Sequence, residues 1–304
     1  MLLAKFQQYL KIEKQFSAHT LEAYTLDLKQ LSDFLDSEYE IDLYATEQLE
    51  LISHKQLRAW MGALLGEGLK SRSVARKLSS AKRYFRFLQR EKLIELNPAK
   101  RVKVPRFERK LPAFLKEKET EYLFDQLNFP DTFEGKRDRA ILELLYGCGL
   151  RRSEVVSLKA GDLDIFNRSV RVSGKGNKER IVPYGHHVAT ALQGYLLAIE
   201  ADGLNLQAGL FIRPNNQAIY PQLVYRIVRK YLEKVSSLQQ KSPHVLRHTF
   251  ATHLLDNGAD LNAIKELLGH SSLAATQVYT HNSIAKLKKV FHQAHPRAQN
   301  HKSK

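Results

Sequence analysis

The sequence has a single cysteine, Cys148, among its 304 residues. One thiol cannot form an intramolecular disulfide, and it cannot supply a zinc site built from cysteine pairs. Long apolar runs are also missing, since none approaches the roughly 20 residues that cross a bilayer. The first residues lack the charged and apolar regions of a signal peptide. These absences predict a cytoplasmic protein with no disulfide framework and no membrane partner.

Several patterns for binding phosphates and metals are absent as well. Residues 174–176 (Gly-Lys-Gly) lack the spacing and the following hydroxyl of a nucleotide-binding phosphate loop. Arg152 stands where a dinucleotide fingerprint after residues 147–149 needs its third glycine. His244 and His248 have metal-ligand spacing on a helix, but no glutamate lies between them and no third ligand is evident. We therefore predict no metal and no cofactor.

Acidic residues are outnumbered by basic ones. The chain has 48 Lys and Arg against 32 Asp and Glu, a net charge of +16 with a pI near 9.7. Such an excess attracts polyanions, and the phosphate backbone of nucleic acids is the most common large polyanion in a cytosol. A basic protein without such a partner is the alternative. The charge indicates a partner and specifies no reaction.

The first 96 residues are predicted to form a helical domain. One helix starts after the cap residue Ser17, and another starts at Ser71. On the second helix an apolar stripe packs inward, and its members are Val74, Leu78, Ala81, Phe85 and Leu88. The arginines of this helix point largely elsewhere and are candidate DNA contacts: Arg72, Arg76, Arg83, Arg86 and Arg90. A solvated helix face is the alternative, and the scarcity of acids on it favours DNA.

Residues 97–114 are predicted to be an extended basic linker. Asn97-Pro98 is expected to end the preceding helix, and further prolines and cations follow. Lys100, Arg101 and Lys103 are additional candidate DNA contacts. The predicted domains are therefore 1–96, the linker, a second domain over 115–298, and a disordered tail over 299–304.

The second domain is predicted to be mostly helical, which places the chain in the mainly α (α+β) class. Its one strand signal is a hairpin, in which 169–172 and 180–183 flank a glycine-containing turn that carries Lys175. The helical segments are 116–128, 137–146, 153–158, 186–201, 221–235, 244–257, 260–268, 271–279 and 283–291.

Cations and imidazoles in the second domain match the needs of phosphodiester cleavage. Two arginines can clamp the non-bridging oxygens, where negative charge builds. A lysine can protonate the leaving 5′-oxygen, and histidines can act as bases. A tyrosine phenol, with a pKa near 10, needs such neighbours before it attacks. The candidate residues are Arg151, Lys175, His244, Arg247, His270 and Tyr279.

This ordered set resembles the active site of the tyrosine recombinases, and the Xer group in particular. The sequence motifs around these residues are specific to the family: LLYGCGLR at 144–151, GKGNKER at 174–180, SPHVLRHTFATHL at 242–254 and LLGHSSLAATQVY at 267–279. The likeness extends from the early segment 17–28 to the closing HPRA at 295–298. The resemblance implies a site-specific recombinase that cuts and rejoins DNA and needs no ATP.

The resemblance assigns a phosphate clamp to Arg151 and Arg247. Glu154 falls where the family has a supporting carboxylate, so it is expected to orient the site without reacting. Arg152 departs from the pattern, because relatives have an apolar residue there, and it competes with Arg151 for the first clamp position. The spacing from Gly149 favours Arg151.

The remaining roles implied by the resemblance concern proton transfer and attack. Lys175 is expected to be the general acid and His244 an acid/base group. His270 is expected to contact the phosphate or the leaving group. Tyr279 is the expected nucleophile, which forms a 3′-phosphotyrosyl bond.

The resemblance also implies an architecture and partners. The family fold is a C-shaped clamp on duplex DNA, made of a helical SAM-like core-binding domain and a catalytic domain. Four protomers assemble on two sites, and the C-terminal helix, here about 283–291, docks in a neighbour. Its apolar face comprises Ile284, Leu287, Val290 and Phe291. A sister Xer recombinase and a septal DNA translocase are expected partners in resolving chromosome or plasmid dimers at cell division.

Three alternatives stay open at this point. The first is a DNA-binding regulator without cleavage, for which Tyr279→Phe changes nothing. The second is a topoisomerase of the same fold, which relaxes supercoils on any sequence. The third is an integrase of a mobile element, although the sequence has no room for an arm-binding domain ahead of the clamp.

Overall fold

The computed structural model describes residues 2–103, 113–174, 179–269 and 281–298. The chain divides into two compact units, residues 1–110 and 111–304. Most described residues are helical, and the strands form one small antiparallel sheet. The predicted fold class, mainly α with a small sheet, is therefore confirmed. No helix in these ranges is long and apolar enough to cross a membrane.

The described residues of the first unit form four α-helices and two short 3-10 helices. The Oγ of Ser17 accepts a hydrogen bond from the backbone N–H of Thr20, as predicted for a helix cap. The α-helices are α1 (Leu2–Ile12), α2 (Ala18–Tyr39), α3 (His54–Gly66) and α4 (Ser71–Arg90), and the 3-10 helices are Thr46–Leu51 and Pro98–Arg101.

The predicted apolar stripe of α4 is the centre of this unit's core. All five of its members are fully buried: Val74, Leu78, Ala81, Phe85 and Leu88. They pack with α2 residues such as Leu31 and Leu35, and with Trp60 of α3. Helical spacing of apolar residues therefore identified the packing face correctly.

The predicted linker differs from the structure at its start. Helix α4 ends at Arg90, before Asn97-Pro98, because Lys92 adopts a left-handed conformation (φ 58°) that turns the chain. Asn97 then caps the 3-10 helix instead of stopping a longer one. Ala99 and Val102 are buried in the core of the first unit, so residues 97–102 belong to that unit and are not extended.

The second unit contains eight α-helices and three strands among the described residues. Its first helix continues into a π-helix, Tyr122–Gln126, and a 3-10 helix lies at Ala160–Asp162. The helices are α5 (Glu117–Glu121), α6 (Phe133–Gly147), α7 (Arg152–Ser157), α8 (His186–Ala201), α9 (Pro221–Val235), α10 (Pro243–Asp256), α11 (Leu261–Leu268) and α12 (His281–Ala294).

The sheet confirms the strands of the predicted hairpin. Strands β2 (Ser169–Ser173) and β3 (Glu179–Pro183) pair antiparallel, with Val170 opposite Val182. A third strand, β1 (Leu163–Asp164), pairs with β2 and was not predicted, because two residues are too short for a detectable alternation. The predicted turn at 175–178, the predicted helix 271–279 and the predicted disordered tail 299–304 lie outside the described residues.

Helix α12 packs on its own chain, against α10, α11 and β3. Its docking in a neighbouring protomer, which the resemblance implies, stays a prediction. Leu287 and Phe291 are buried in the core of the second unit, and Val290 packs against it; the side chain of Ile284 is not among those described. The following residues are anchored too, since Arg297 binds Asp125 (2.7 Å) and Glu143 (3.0 Å). The apolar face predicted for docking already has partners within the chain.

Candidate active site

The predicted supporting carboxylate, Glu154, is the centre of the site. Arg151 is the cap residue of α7, and its backbone N–H donates to Glu154 Oε2 (2.7 Å) while its Nη1 donates to Oε1 (2.7 Å). Gly149 precedes it at φ 58°, where a Cβ would lie 2.5 Å from the Phe250 ring. Only glycine fits this turn, and the turn presents Arg151 to the carboxylate.

Arg180 is a second partner of Glu154, and it was not predicted as a site residue. It extends from β3 and is buried, and its two Nη atoms donate to the two oxygens of Glu154 (2.9 and 3.0 Å). Strand alternation offered a signal, because Arg180 and the buried Val182 lie on one face of β3.

Arg247 enters from α10 and completes a group of three arginines. It is 8% exposed, and its Nη1 donates to the carbonyl of Gly149 (2.6 Å) while its Nη2 donates to that of Leu268 (2.6 Å). Its Nη1 also lies 3.8 Å from Glu154 Oε2. Burial, followed by the nearby charge of Arg151, lowers the pKa of Arg247 to about 10, so it stays cationic at neutral pH.

The ionisation of Glu154 follows from these partners. Burial opposes the charged form, but the hydrogen bonds and charge of Arg180, and then the hydrogen bonds of Arg151, lower the pKa of Glu154 to about 2. The carboxylate is therefore charged at every physiological pH. Three guanidinium groups around one carboxylate leave a net charge of +2 in the site (3 − 1).

His244 lies on the first turn of α10, just ahead of Arg247, and is exposed to solvent. Partial burial of its ring, followed by the charges of Arg152, Arg247 and Arg151, lowers its pKa from the ordinary 6.5. A neutral imidazole at neutral pH can accept a proton. The charge of Arg152 thus acts on the protonation of His244, whereas Arg151 contacts Glu154.

The second histidine of the predicted metal spacing, His248, packs edge-on against the ring of Phe114 (6.1 Å between centroids). Burial lowers its pKa, so it behaves as a neutral ring within the fold. Within the described ranges, no group of three or more His, Cys, Asp or Glu side chains could hold a metal ion.

The end of α11 lies against the three arginines. The carbonyl of Leu267 accepts from Arg180 Nε (2.8 Å), that of Leu268 from Arg247 Nη2 (2.6 Å), and that of Gly269 from Arg151 Nη2 (3.1 Å). The structure thus brings together Arg151, Arg247 and Glu154 as predicted and adds Arg180. Lys175, His270 and Tyr279 lie outside the described residues, so their roles stay predictions.

The arginines predicted to face DNA on α4 divide into two groups. Arg76 donates to both oxygens of the buried Asp27, and Arg90 donates to both oxygens of Glu13. Helix α4 has no acidic residue of its own, as predicted, but α2 and the turn after α1 supply carboxylates to the arginines at these two positions. Arg83 stacks on the ring of Phe16 (4.9 Å to the centroid).

Other predicted DNA contacts remain available on the first unit. Arg72, Arg86, Lys100, Arg101 and Lys103 are exposed. Arg86 and Lys100 also share a cavity of about 260 Å³, whose remaining lining residues are Lys82, Gln89 and Asn97. This cavity is positively charged and suits an anion.

Comparison with known proteins gives the same division of the chain. Residues 113–286 match the family described as Phage integrase family. Residues 3–92 match the Phage integrase, N-terminal SAM-like domain. These two matches fall in the second and the first compact unit, respectively.

Curated relatives align over almost the whole chain. A protein named Tyrosine recombinase XerC from Chlorobaculum tepidum is 43% identical, with 97% of this chain and 94% of the relative covered. Another protein of that name, from Pelotomaculum thermopropionicum, is 41% identical, with 96% and 97% covered.

Solved structures share the fold at lower identity. XerH site-specific recombinase bound to a palindromic difH substrate has a TM-score of 0.69 at 21% identity, with 95% of this chain and 83% of that chain covered. The Tn1549 transposon integrase in complex with circular intermediate DNA has a TM-score of 0.66 at 20% identity, with 94% and 98% covered.

The fold and the arginine site, with these relatives, define the class: the chain is a site-specific DNA recombinase. It belongs to the Phage integrase family, the tyrosine recombinases, and within that family to the Xer type. The sequence resemblance is thereby confirmed. Residues 251–258 and 294–298 resemble the XerC type slightly more than the XerD type, and the names of the relatives agree with this interpretation.

Proposed function

We propose that the chain cleaves DNA at a specific site through Tyr279 and that Arg151 and Arg247 clamp the scissile phosphate. One observation carries this proposal: three arginines from separate elements converge on Glu154 at the end of α11. The chain continues from that end into 270–280, which contains His270 and Tyr279.

The charge of the site suits the transition state of this reaction. Attack of a phenolate on a phosphodiester gives a five-coordinate phosphorus species with two negative charges, and the site has a net charge of +2. The hydrogen bonds described for Arg247 use two of the five N–H groups of a guanidinium. We assign its other N–H groups to a non-bridging oxygen.

The proposed steps conserve the phosphodiester bond. The oxygen of Tyr279 attacks phosphorus, the bond to the 5′-oxygen breaks, and Lys175 gives that oxygen its proton. His244 or His270 assists by accepting a proton or donating a hydrogen bond. The 5′-hydroxyl of a second strand then attacks the phosphotyrosyl ester, which reseals the backbone and releases the tyrosine without ATP.

Double-stranded DNA is the proposed partner, and the exposed cations of the first unit are its proposed phosphate contacts. Arg86 and Lys100 are the best placed of them, because both line the cationic cavity. Arg76 and Arg90 contribute less, since their guanidinium groups are already paired with Asp27 and Glu13.

We propose that the enzyme resolves chromosome or plasmid dimers at cell division, a role with which the name Tyrosine recombinase XerC of its relatives is consistent. A cytoplasmic tetramer with a sister Xer recombinase, controlled by a septal DNA translocase, is proposed from the sequence resemblance alone.

The test is the covalent intermediate. A duplex selected by the full-length protein from a random pool is prepared with single nicks at successive positions, incubated with the protein and run on a denaturing gel. We expect a covalent protein–DNA band for the wild type and none for Tyr279→Phe, while binding is unchanged. No band at any nick position on a bound duplex contradicts the proposal.

The choice between Arg151 and Arg152 has its own test. Arg151 contacts Glu154 and Gly269, so Arg151→Ala is expected to abolish the covalent band. Arg152→Ala removes a charge near His244 and is expected to slow cleavage less. Cleavage that survives Arg151→Ala and is lost in Arg152→Ala assigns the clamp to Arg152 instead.

A further inference from the structure

We propose that Arg180 is a positioning residue for DNA cleavage: it fixes Glu154 and the end of α11, and through them the Arg151 and Arg247 clamp. The role rests on the cleavage reaction proposed above. Arg180 is not placed to bind the phosphate itself, because it is 5% exposed and its described hydrogen bonds go to Glu154 and Leu267.

The geometry of Arg180 links two parts of the site. Its Nη atoms hold both oxygens of Glu154 (2.9 and 3.0 Å), and its Nε holds the Leu267 carbonyl (2.8 Å). A planar guanidinium can make these three bonds at once in fixed directions, whereas the single ammonium of a lysine cannot. Arg180 therefore sets the distance between the carboxylate and the last turn of α11.

The last carbonyls of α11 have no partners within the helix, as at any helix C-terminus. Here Leu267, Leu268 and Gly269 each bind a different arginine: Arg180, Arg247 and Arg151, respectively. The two proposed clamp arginines thus share both the carboxylate and the helix end with Arg180. Moving one of the three arginines alters the positions of the others.

The C-terminal end of α11 is closely packed against Arg180 at Gly269. Gly269 has φ 64°, and a Cβ built there would lie 3.1 Å from Cδ and Nη1 of Arg180. The side chain of Arg180 therefore supports the turn immediately before His270. Loss of Arg180 leaves Glu154 with fewer hydrogen bonds and the Leu267 carbonyl without its donor, so both can shift. A misplacement of about 1 Å near reacting groups can cost on the order of 100-fold in rate.

Arg180 also follows residues 175–178 closely in sequence, so it could act through Lys175 instead of through the clamp. The two routes differ in chemistry. A clamp stabilises negative charge on the non-bridging oxygens, and a general acid stabilises the leaving oxygen. Substrates altered at one of these positions therefore separate the two routes.

The experiment measures single-turnover cleavage of the nicked, selected duplex by the full-length protein. Arg180→Met removes the charge and keeps the length of the side chain, and Arg180→Lys keeps the charge without the fork. Arg171→Met is the matched control, since Arg171 lies on the neighbouring strand β2 with its side chain exposed. Thermal unfolding and DNA binding are measured for each variant.

Three versions of the scissile phosphate are compared. The first is the ordinary phosphate, the second a methylphosphonate without the non-bridging negative charge, and the third a 5′-bridging phosphorothiolate, whose sulfur leaves without a proton. We expect Arg180→Met to slow cleavage of the ordinary phosphate about 100-fold. On the methylphosphonate the loss is expected to fall below about 10-fold, because there is less charge for the clamp to stabilise. On the phosphorothiolate the loss is expected to stay near 100-fold.

Several results overturn this role for Arg180. A loss that is equal on the phosphate and the methylphosphonate shows that Arg180 does not act through the clamp, and a loss that disappears on the phosphorothiolate assigns it to the general acid. Cleavage by Arg180→Met at the wild-type rate also contradicts the proposed role. If Arg180→Met fails to fold, Arg180→Lys gives the same three ratios. A wild type that cleaves none of the substrates contradicts the proposed function itself, which is a different result from any of these.

Discussion

Each unit of the protein contains a buried carboxylate surrounded by cations, and the two carboxylates are held in different ways. Asp27 on α2 binds Arg76 (2.8 Å), Lys77 (3.1 Å) and Ser80 (2.7 Å), all three from α4. Because these three partners come from one helix, Asp27 anchors α2 to α4. Its interactions stabilise the first unit.

Glu154 gathers partners from three separate parts of the second unit. Arg151 precedes α7, Arg180 lies on β3, and Arg247 lies on α10. These arginines also bind backbone carbonyls, including those at the end of α11. A carboxylate that joins distant segments, and leaves a net positive charge, assembles a site; one that joins two neighbouring helices makes an anchor. The following predictions test this difference.

The largest expected difference is between Arg151 and Arg76, the more exposed cation at each carboxylate. Arg151→Ala is expected to slow single-turnover cleavage about 1000-fold, about 4 kcal/mol, because it removes a donor to the charged transition state. Arg76→Ala is expected to change the rate less than about threefold, since its guanidinium is paired with Asp27. Similar losses in the two variants contradict the distinction.

Asp27→Asn is expected to destabilise the first unit by about 3 kcal/mol, because it leaves the buried Lys77 without a charged partner. Urea unfolding can be followed by the fluorescence of Trp60, which is the single tryptophan and is buried in this unit's core. The exposed Asp33 on the same helix supplies the control, Asp33→Asn. If Asp27→Asn and Asp33→Asn have the same free energy of unfolding, Asp27 does not anchor α2 to α4.

Acid is expected to weaken the second unit through Glu154. Its pKa is lowered from 4.5 to about 2 in the folded protein, so its contribution to stability is complete above pH 4.5 and is lost as the pH falls towards 2. Between pH 6 and pH 3 the wild type should lose about 2 kcal/mol more than Glu154→Gln. Unfolding followed by circular dichroism, with Trp60 fluorescence marking the first unit, measures this difference. If the wild type and Glu154→Gln lose the same free energy of unfolding between these pH values, Glu154 does not have the lowered pKa assigned to it.

The smallest expected effect concerns His244. Its lowered pKa means that cleavage should decline only below pH 6.5, as the imidazole becomes protonated. After burial, Arg152 is the leading cause, so Arg152→Gln should move this decline to higher pH, towards 6.5. The pH–rate profile of single-turnover cleavage measures the shift, with Arg171→Gln as the control. A shift to lower pH, or an equal shift in the control, contradicts this assignment.

Helical and strand periodicity predicted most of the fold. The same periodicity could also have identified Asp27, the buried carboxylate of the first unit, and Arg180, which binds the buried carboxylate of the second. Asp27 lies three residues after Tyr24 and four before Leu31, which is the spacing of the buried face of α2. Arg180 shares a strand face with Val182. In both cases a charged residue on a buried face is a signal of an ion pair.

Other features could not be predicted from the pattern of one segment. The apolar face of α12 was visible, but periodicity does not say whether the same chain or a neighbour covers it. The pairing of Arg90 with Glu13 joins residues 77 apart in sequence. Which cation meets which acid depends on tertiary packing, and this is why two of the predicted DNA contacts are already paired.

The account centres on a tyrosyl–DNA bond formed in the site around Glu154, and mass spectrometry tests it most directly. The protein is trapped on the nicked duplex, digested with protease and nuclease, and searched for peptides that carry a nucleotide. We predict a single modified residue, Tyr279, whose adduct is lost in Arg151→Ala and retained in Arg76→Ala. An adduct on any other residue, or none in a protein that cleaves the duplex, contradicts the central claim.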